Sequence, residues 1–181
     1  MLDAAGIAFE SRPADVDERA IEAGLTDASP AAAALALAVA KAQHVSRGTP
    51  GALVLGSDSL VSCGARRFDK PESRADAAAH LAFFSGRVME LHSAAALVRD
   101  GEVLWAEAAR ADLPVAQLSP DFIARYLDAE WPQIAACVGC FRIEARGVQL
   151  FERIDGDYFT ILGMPLLKVQ AALRKLGVLE T

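Results

Sequence analysis

The segment that follows Ser29 restricts the fold more than any other part of this sequence. Ser29-Pro30 has the N-cap and first-turn chemistry of a helix start, and the helix is expected to run to about Ser46. Between Pro30 and His44 its only charge is Lys41. A helix that is apolar nearly all round has to be buried. Lys41 must then either snorkel to the surface or meet an anion. The longest apolar stretch, Ala31 to Ala40, is far short of the roughly 20 residues that a membrane span needs. Alanine makes up 37 of the 181 residues, which keeps side chains small and lets helices pack closely.

The rest of the composition narrows the function classes. Apolar residues are 53% of the chain and charged residues 23%, which excludes a disordered protein. There are 18 basic and 24 acidic side chains, a formal net charge of −6. That argues against binding to a nucleic acid duplex, which normally leaves a basic patch or stripe in the sequence. A small phosphorylated ligand needs only a few well-placed cations and stays open. The three cysteines, Cys63, Cys137 and Cys140, cannot all pair with one another, and a reducing cytoplasm is the expected location. No basic segment precedes an apolar one at the start, so neither a signal peptide nor membrane attachment is expected. The length suits one domain, or two small lobes sharing a core.

Strands and helices alternate irregularly. Met1 to Glu10 reads as a last helical turn, a cap at Gly6 and the start of a strand. Ala52 to Leu55 reads as a buried strand that ends in a Gly56-Ser57-Asp58-Ser59 turn. Arg66 to Lys70 follows as the return arm of a hairpin, and Ser73 caps a helix that reaches Phe84 and stops at Gly86. Arg87 to Val98 and Glu102 to Val115 read as long strands joined at Arg99-Asp100-Gly101. Ser119-Pro120 opens a helix to about Ala129. Val148 to Ile154 reads as a strand, and Pro165 to Leu176 as a closing amphipathic helix. The pattern is α/β with a mixed sheet.

Six residues stand out as carriers of chemistry. Asp58 follows a buried strand, where α/β proteins bind ligands; an Asx-turn that caps the next segment is the plain alternative. Lys70 precedes Pro71, which holds it extended and aims its side chain, although a solvated lysine would read the same way. Lys41 is the lone charge of an apolar helix. Glu18 closes the acidic run Asp15-Val16-Asp17-Glu18, which suits a hard divalent cation or simply a solvated loop. Glu144 sits between Arg142 and Arg146, where a surface ion pair is the simple expectation. Ser59 lies beside Asp58. Cys137 and Cys140 have C-x2-C spacing, but a zinc site needs two further ligands. Cys63, His44, His80 and His92 do not supply them at a recognisable spacing, so buried thiols are expected.

The order of these features resembles a known family. Phe9 with Asp15-Val-Asp-Glu18, then Ala40-Lys41-Ala42, Gly56-Ser-Asp58, Lys70-Pro71, Ser85-Gly86, Leu150-Phe-Glu-Arg-Ile-Asp-Gly156 and Gly163-Met-Pro-Leu166 look like the Maf family of nucleoside triphosphate pyrophosphatases. The likeness covers nearly the whole chain, 1–181, as one Maf-like domain. Cys137-Val-Gly139-Cys140-Phe141-Arg142-Ile-Glu144 most resembles the branch acting on 7-methylguanosine triphosphate. The family's opening strand and its Ser-x-Ser-x-x-Arg segment belong ahead of the stretch matching Leu2 to Phe9, and this sequence is expected to lack them.

The resemblance implies a mixed, elongated sheet flanked by helices, in two lobes around a central cleft. It implies hydrolysis of a nucleoside triphosphate to the monophosphate and pyrophosphate with a Mg²⁺ or Mn²⁺ ion, and a possible homodimer. Asp58 matches the proton acceptor, and Lys41 and Lys70 match lysines that face the triphosphate. Glu18 matches a carboxylate near metal and phosphate, with Asp58 as the other metal ligand. Ser59 and Glu144 match positions that influence base choice. Phosphoryl chemistry asks mainly for positioning and charge neutralisation, and this set supplies both. A carboxylate at 144 accepts hydrogen bonds only, which suits the adjacent N1–H and N2–H donors of guanine. A catalytically impaired nucleotide-binding regulator, linked to septum formation, is the alternative.

Overall fold

The computed structural model describes residues 1–26 and 28–180. Ten regular elements carry the fold, in the order α1 (Glu18–Ala23), α2 (Pro30–Arg47), β1 (Leu53–Cys63), β2 (Arg66–Phe68), α3 (Arg74–Phe84), β3 (Val88–Arg99), β4 (Glu102–Pro114), α4 (Pro120–Glu130), α5 (Tyr158–Ile161) and α6 (Leu166–Lys175). Short 3₁₀ turns lie at Asp3–Ala5, Gln133–Ala136, Val138–Cys140 and Arg146–Leu150. The strands form one sheet in the order β2-β1-β3-β4. β1 and β2 pair antiparallel, with Val61 opposite Phe68 and Cys63 opposite Arg66. Among the described residues no helix is long and apolar enough to cross a membrane.

Local chemistry sets most of the boundaries. The Ser29, Ser73 and Ser119 hydroxyls accept from backbone N–H groups three residues on, at 3.2, 3.1 and 3.1 Å, and so satisfy donors that the first helical turn leaves open. The β3–β4 hairpin turns at Asp100 and Gly101, both at positive φ, as a tight two-residue connection requires.

The chain divides into two compact units. The first holds Met1–Ser59, His92–Ala109 and Gly163–Thr181; the second holds Leu60–Leu91 and Arg110–Leu162. Small residues dominate the buried part of the first unit: Ala33, Ala34, Ala38 and Ala42 of α2, and Ala94, Ala95 and Ala96 of β3, are all buried. A side chain at Gly56 of β1 would put its Cβ 2.3 Å from the Ala38 carbonyl oxygen. Helix and strand therefore touch backbone to backbone at that point. The second unit is filled by aromatic and branched side chains instead. Phe68 is 4.5 Å from Phe84 between ring centroids, inside a cluster with Leu81, Met89, Leu113 and Ile134.

Three local expectations are corrected. Gly56 to Ser59 is not a turn but part of β1, which continues to Cys63. The Ser57 hydroxyl donates to the Ala94 and Gly163 carbonyls, at 2.8 and 3.0 Å, so the polar side chain is satisfied within the strand. Asp15 to Glu18 is not simply an acidic loop, because Asp17 caps α1 through the Ala20 N–H at 2.9 Å and Glu18 is the first helical residue. Val148 to Ile154 does not form a continuous strand. It meets β4 and its extension only at two bridges, Phe151 with Val115 and Asp155 with Asp112. Pro114 lies between those contacts and has no N–H to continue a ladder.

Candidate functional site

The apolar helix does send its lysine to an anion, and in fact to two. The Lys41 ammonium lies 2.6 Å from Asp58 Oδ1 and 2.7 Å from Glu18 Oε1. Three separate segments of the first unit thus meet at one nitrogen: the capped start of α1, the middle of α2 and the middle of β1. Side-chain exposure is 11% for Asp58, 22% for Lys41 and 51% for Glu18, so the trio grades from interior to solvent. Burial pulls Lys41 towards the neutral form, but the hydrogen bonds to Asp58 and Glu18 outweigh it, and the pKa ends above that of a free lysine. Lys41 is a permanent cation here, and the three groups together carry one net negative charge.

Lys41 also lines a cavity of about 430 Å³ in the same unit, together with Phe9, Arg12, Val45, Thr49 and Ser57. Arg12 is a second cation on that wall, partnered by Glu10 at 3.0 Å. It was not among the residues singled out from the sequence; a lone basic group in a largely acidic opening stretch is the only signal it gives.

Ser59 follows Asp58 in β1. Side chains alternate along a strand, so Ser57 and Ser59 share the face opposite Asp58. Both hydroxyls donate to the Gly163 carbonyl, at 3.0 and 2.9 Å, and the Ser59 oxygen lies 2.6 Å from that of Ser93. Ser59 is thereby engaged with the loop that leads into α6.

Lys70 and Glu144 belong to the second unit. Lys70 lies past the end of β2, just before Pro71, and Glu144 is exposed in the loop after Cys140. Cys137 senses both. Burial raises its thiol pKa, the charge of Glu144 adds to that, and Arg142 and Lys70 oppose it. The expected ion pair of Glu144 with its neighbouring arginines is not what Arg142 makes; Arg142 reaches Glu130 instead, at 2.8 Å.

All three cysteines are free thiols, with Cys63 and Cys140 buried and Cys137 half-buried. Cys140 stands 3.6 Å from His80 Nδ1, and His80 Nε2 is 3.5 Å from Asp76. Burial drives this thiol up to about 12, so the arrangement is no nucleophilic triad, which needs an accessible thiolate. Among the described residues no group of three or more His, Cys, Asp or Glu side chains could hold a metal. Glu18 and Asp58 are two hard oxygen ligands already converging on one cation, the Lys41 ammonium. A magnesium-type ion commonly takes one or two carboxylates and completes its shell with substrate phosphates and water. The pair fits that kind of ion.

Fold and site define an α/β protein of two compact units with a lysine clasped between two carboxylates at the rim of a cavity. The family model described as Maf-like protein matches residues 1–176. A curated relative named 7-methyl-GTP pyrophosphatase, from Mesorhizobium japonicum, is 50% identical across 99% of this chain and 92% of its own length. One of the same name from Rhizobium etli is 48% identical over the same shares. A relative from Nitrobacter hamburgensis named nucleoside triphosphate pyrophosphatase is 44% identical over 99% of this chain and 89% of its own. The chain belongs to the Maf family.

Proposed function

We infer that the chain is a nucleoside triphosphate pyrophosphatase whose substrate is a guanine-type triphosphate, 7-methylguanosine triphosphate above all. The relatives' names support the reaction class. One observation carries the chemistry: Lys41 lies within hydrogen-bond distance of both Asp58 and Glu18.

In this reading water attacks the α-phosphorus, the bond from the α-phosphorus to the bridging oxygen breaks, and pyrophosphate leaves. The Asp58 carboxylate takes the proton from water. Lys41 turns from its carboxylates to phosphate oxygens and stabilises the charge that grows there. Lys70 is the second cation for the triphosphate. Without a further cation, the net negative charge of the Glu18–Lys41–Asp58 trio would repel a triphosphate. A divalent Mg²⁺ or Mn²⁺ ion held by Glu18 and Asp58 would supply the missing positive charge. Glu144 takes the base, because a carboxylate can accept from the N1–H and N2–H of guanine as a pair; Ser59 is proposed to act on base choice through the Gly163 loop it holds.

The chain works as one functional domain in this reading. A cytoplasmic location fits its free thiols, its charge of −6 suits a small ligand rather than a nucleic acid duplex, and a homodimer is the proposed assembly. Pyrophosphate release with each nucleotide tests the reading. Asp58→Asn and Lys41→Met should each lower kcat/KM about 10²–10⁴-fold, chelation should abolish turnover, and Glu144→Gln should move preference towards pyrimidines. Turnover at the wild-type rate in Asp58→Asn would sink the mechanism and favour a binding or regulatory role.

A further inference from the structure

Nothing above explains why Glu130 is an acid. It is the last residue of α4, where the helix presents carbonyl ends that repel negative charge, and it is only 3% exposed. Both placements oppose a carboxylate. Arg142 provides the compensation, since its Nε and Nη2 both donate to one Glu130 oxygen, at 3.2 and 2.8 Å. Replacing a buried pair of this kind by apolar side chains is often neutral or stabilising. Stability therefore gives no reason for the pair, and placement does.

What the pair places is the loop that carries Glu144. Arg142 opens a turn that the Ala145 N–H closes onto the Arg142 carbonyl at 3.1 Å. Gly147 is pressed against the same residue: a Cβ there would stand 2.5 Å from the Arg142 oxygen and 2.7 Å from its nitrogen. Ile143 is buried and Glu144 is exposed. One turn before Glu130, on the same face of α4, the Tyr126 hydroxyl donates to the Cys140 carbonyl at 3.0 Å. Cys140 itself has φ 60, a conformation that a non-glycine residue keeps only when its surroundings impose it. α4 thus grips the loop at two points, Cys140 and Arg142, and Glu144 emerges just beyond the second.

We propose that Glu130 and Arg142 are positioning residues for base selection: their buried fork fixes the backbone of Glu144, so that its carboxylate meets the donor edge of a guanine-type base. The proposal rests on the assignment of Glu144 to base choice. Tyr126 anchors the other end of the same loop.

The test measures kcat and KM for 7-methylguanosine triphosphate, GTP, dTTP and UTP in wild type, Arg142→Lys, the double variant Glu130→Leu/Arg142→Met, and Glu144→Gln, with thermal melts alongside. Arg142→Lys keeps the charge and loses the fork. It should lower the guanine-to-pyrimidine ratio of kcat/KM about tenfold, through KM for the guanine nucleotides, with kcat within about twofold. The double variant should melt close to wild type and lose selectivity equally, which a merely structural pair would not do. An unchanged ratio in both variants, with the ratio still shifted in Glu144→Gln, overturns the positioning role and leaves Glu144 standing. An unchanged ratio in Glu144→Gln overturns the underlying assignment and the proposal with it.

Discussion

Gly56 is the point at which packing and chemistry meet in the first unit, and Gly56→Ala is the sharpest test of that link. The added Cβ would stand 2.3 Å from the Ala38 carbonyl oxygen, 2.8 Å from the Ala42 nitrogen and 2.9 Å from the Ala42 Cβ, whereas ordinary contact begins at 3.4 Å. Two of those three atoms are helix backbone, so α2 has to retreat from β1 by about 1 Å. Overpacking of this kind costs about 1–3 kcal/mol, which for a chain of this size lowers Tm by about 2–12 °C. Lys41 rides on the helix that retreats and Asp58 on the strand that stays. A displacement of that size at a charged contact can cost about 10²-fold in turnover. Scanning calorimetry and pyrophosphate release are the two assays. Gly48→Ala is the control, since its φ is negative and the nearest listed-atom approach of its Cβ, 3.7 Å to the Val45 oxygen, is ordinary contact. If Gly56→Ala melts and turns over like Gly48→Ala, α2 and β1 do not touch as described and the packing does not set the Lys41–Asp58 distance.

Two further outcomes follow from titrating groups. Because the folded pKa of Lys41 lies above its unfolded value, its contribution to stability is complete below about pH 10.4 and is lost as pH rises through the higher folded value. The stability gap between wild type and Lys41→Met, read from urea midpoints, should be constant from about pH 7 to 9 and narrow only in more alkaline solution; narrowing below that range would show the ammonium to be weakly held. Native alkylation followed by mass spectrometry should modify Cys137 first, and Cys63 and Cys140 only on unfolding, because both are buried and burial raises each thiol's pKa. Rapid native modification of Cys140 would contradict its closed setting.

Much of the fold is legible because it is encoded locally. Ser29-Pro30, Ser73 and Ser119-Pro120 mark helix starts whichever residues lie across from them, and the Asp100-Gly101 turn announces its hairpin. β1 is misread past Leu55 because Gly-Ser-Asp-Ser has turn-like local preference. What keeps it extended are acceptors 37 and 106 residues away, at Ala94 and Gly163. The break after Val148 is equally non-local, since it comes from Pro114 on the facing segment. The requirement that Lys41 meet an anion can be read from its apolar helix, but the choice of Glu18 and Asp58 cannot be derived from periodicity. It came from family resemblance, and the two contacts at 2.6 and 2.7 Å agree with it. Glu130 gives no signal at all until its partner Arg142 is seen in space.

The Gly163 carbonyl, held by the hydroxyls on both sides of Asp58 along the strand, has a mechanical consequence. Three residues further on, α6 begins, with Leu166, Val169, Ala172 and Leu173 buried. Fraying of that closing helix would be transmitted through this one oxygen to the backbone beneath the carboxylate, so amide exchange in α6 and around Ser57 to Ser59 should slow and quicken together.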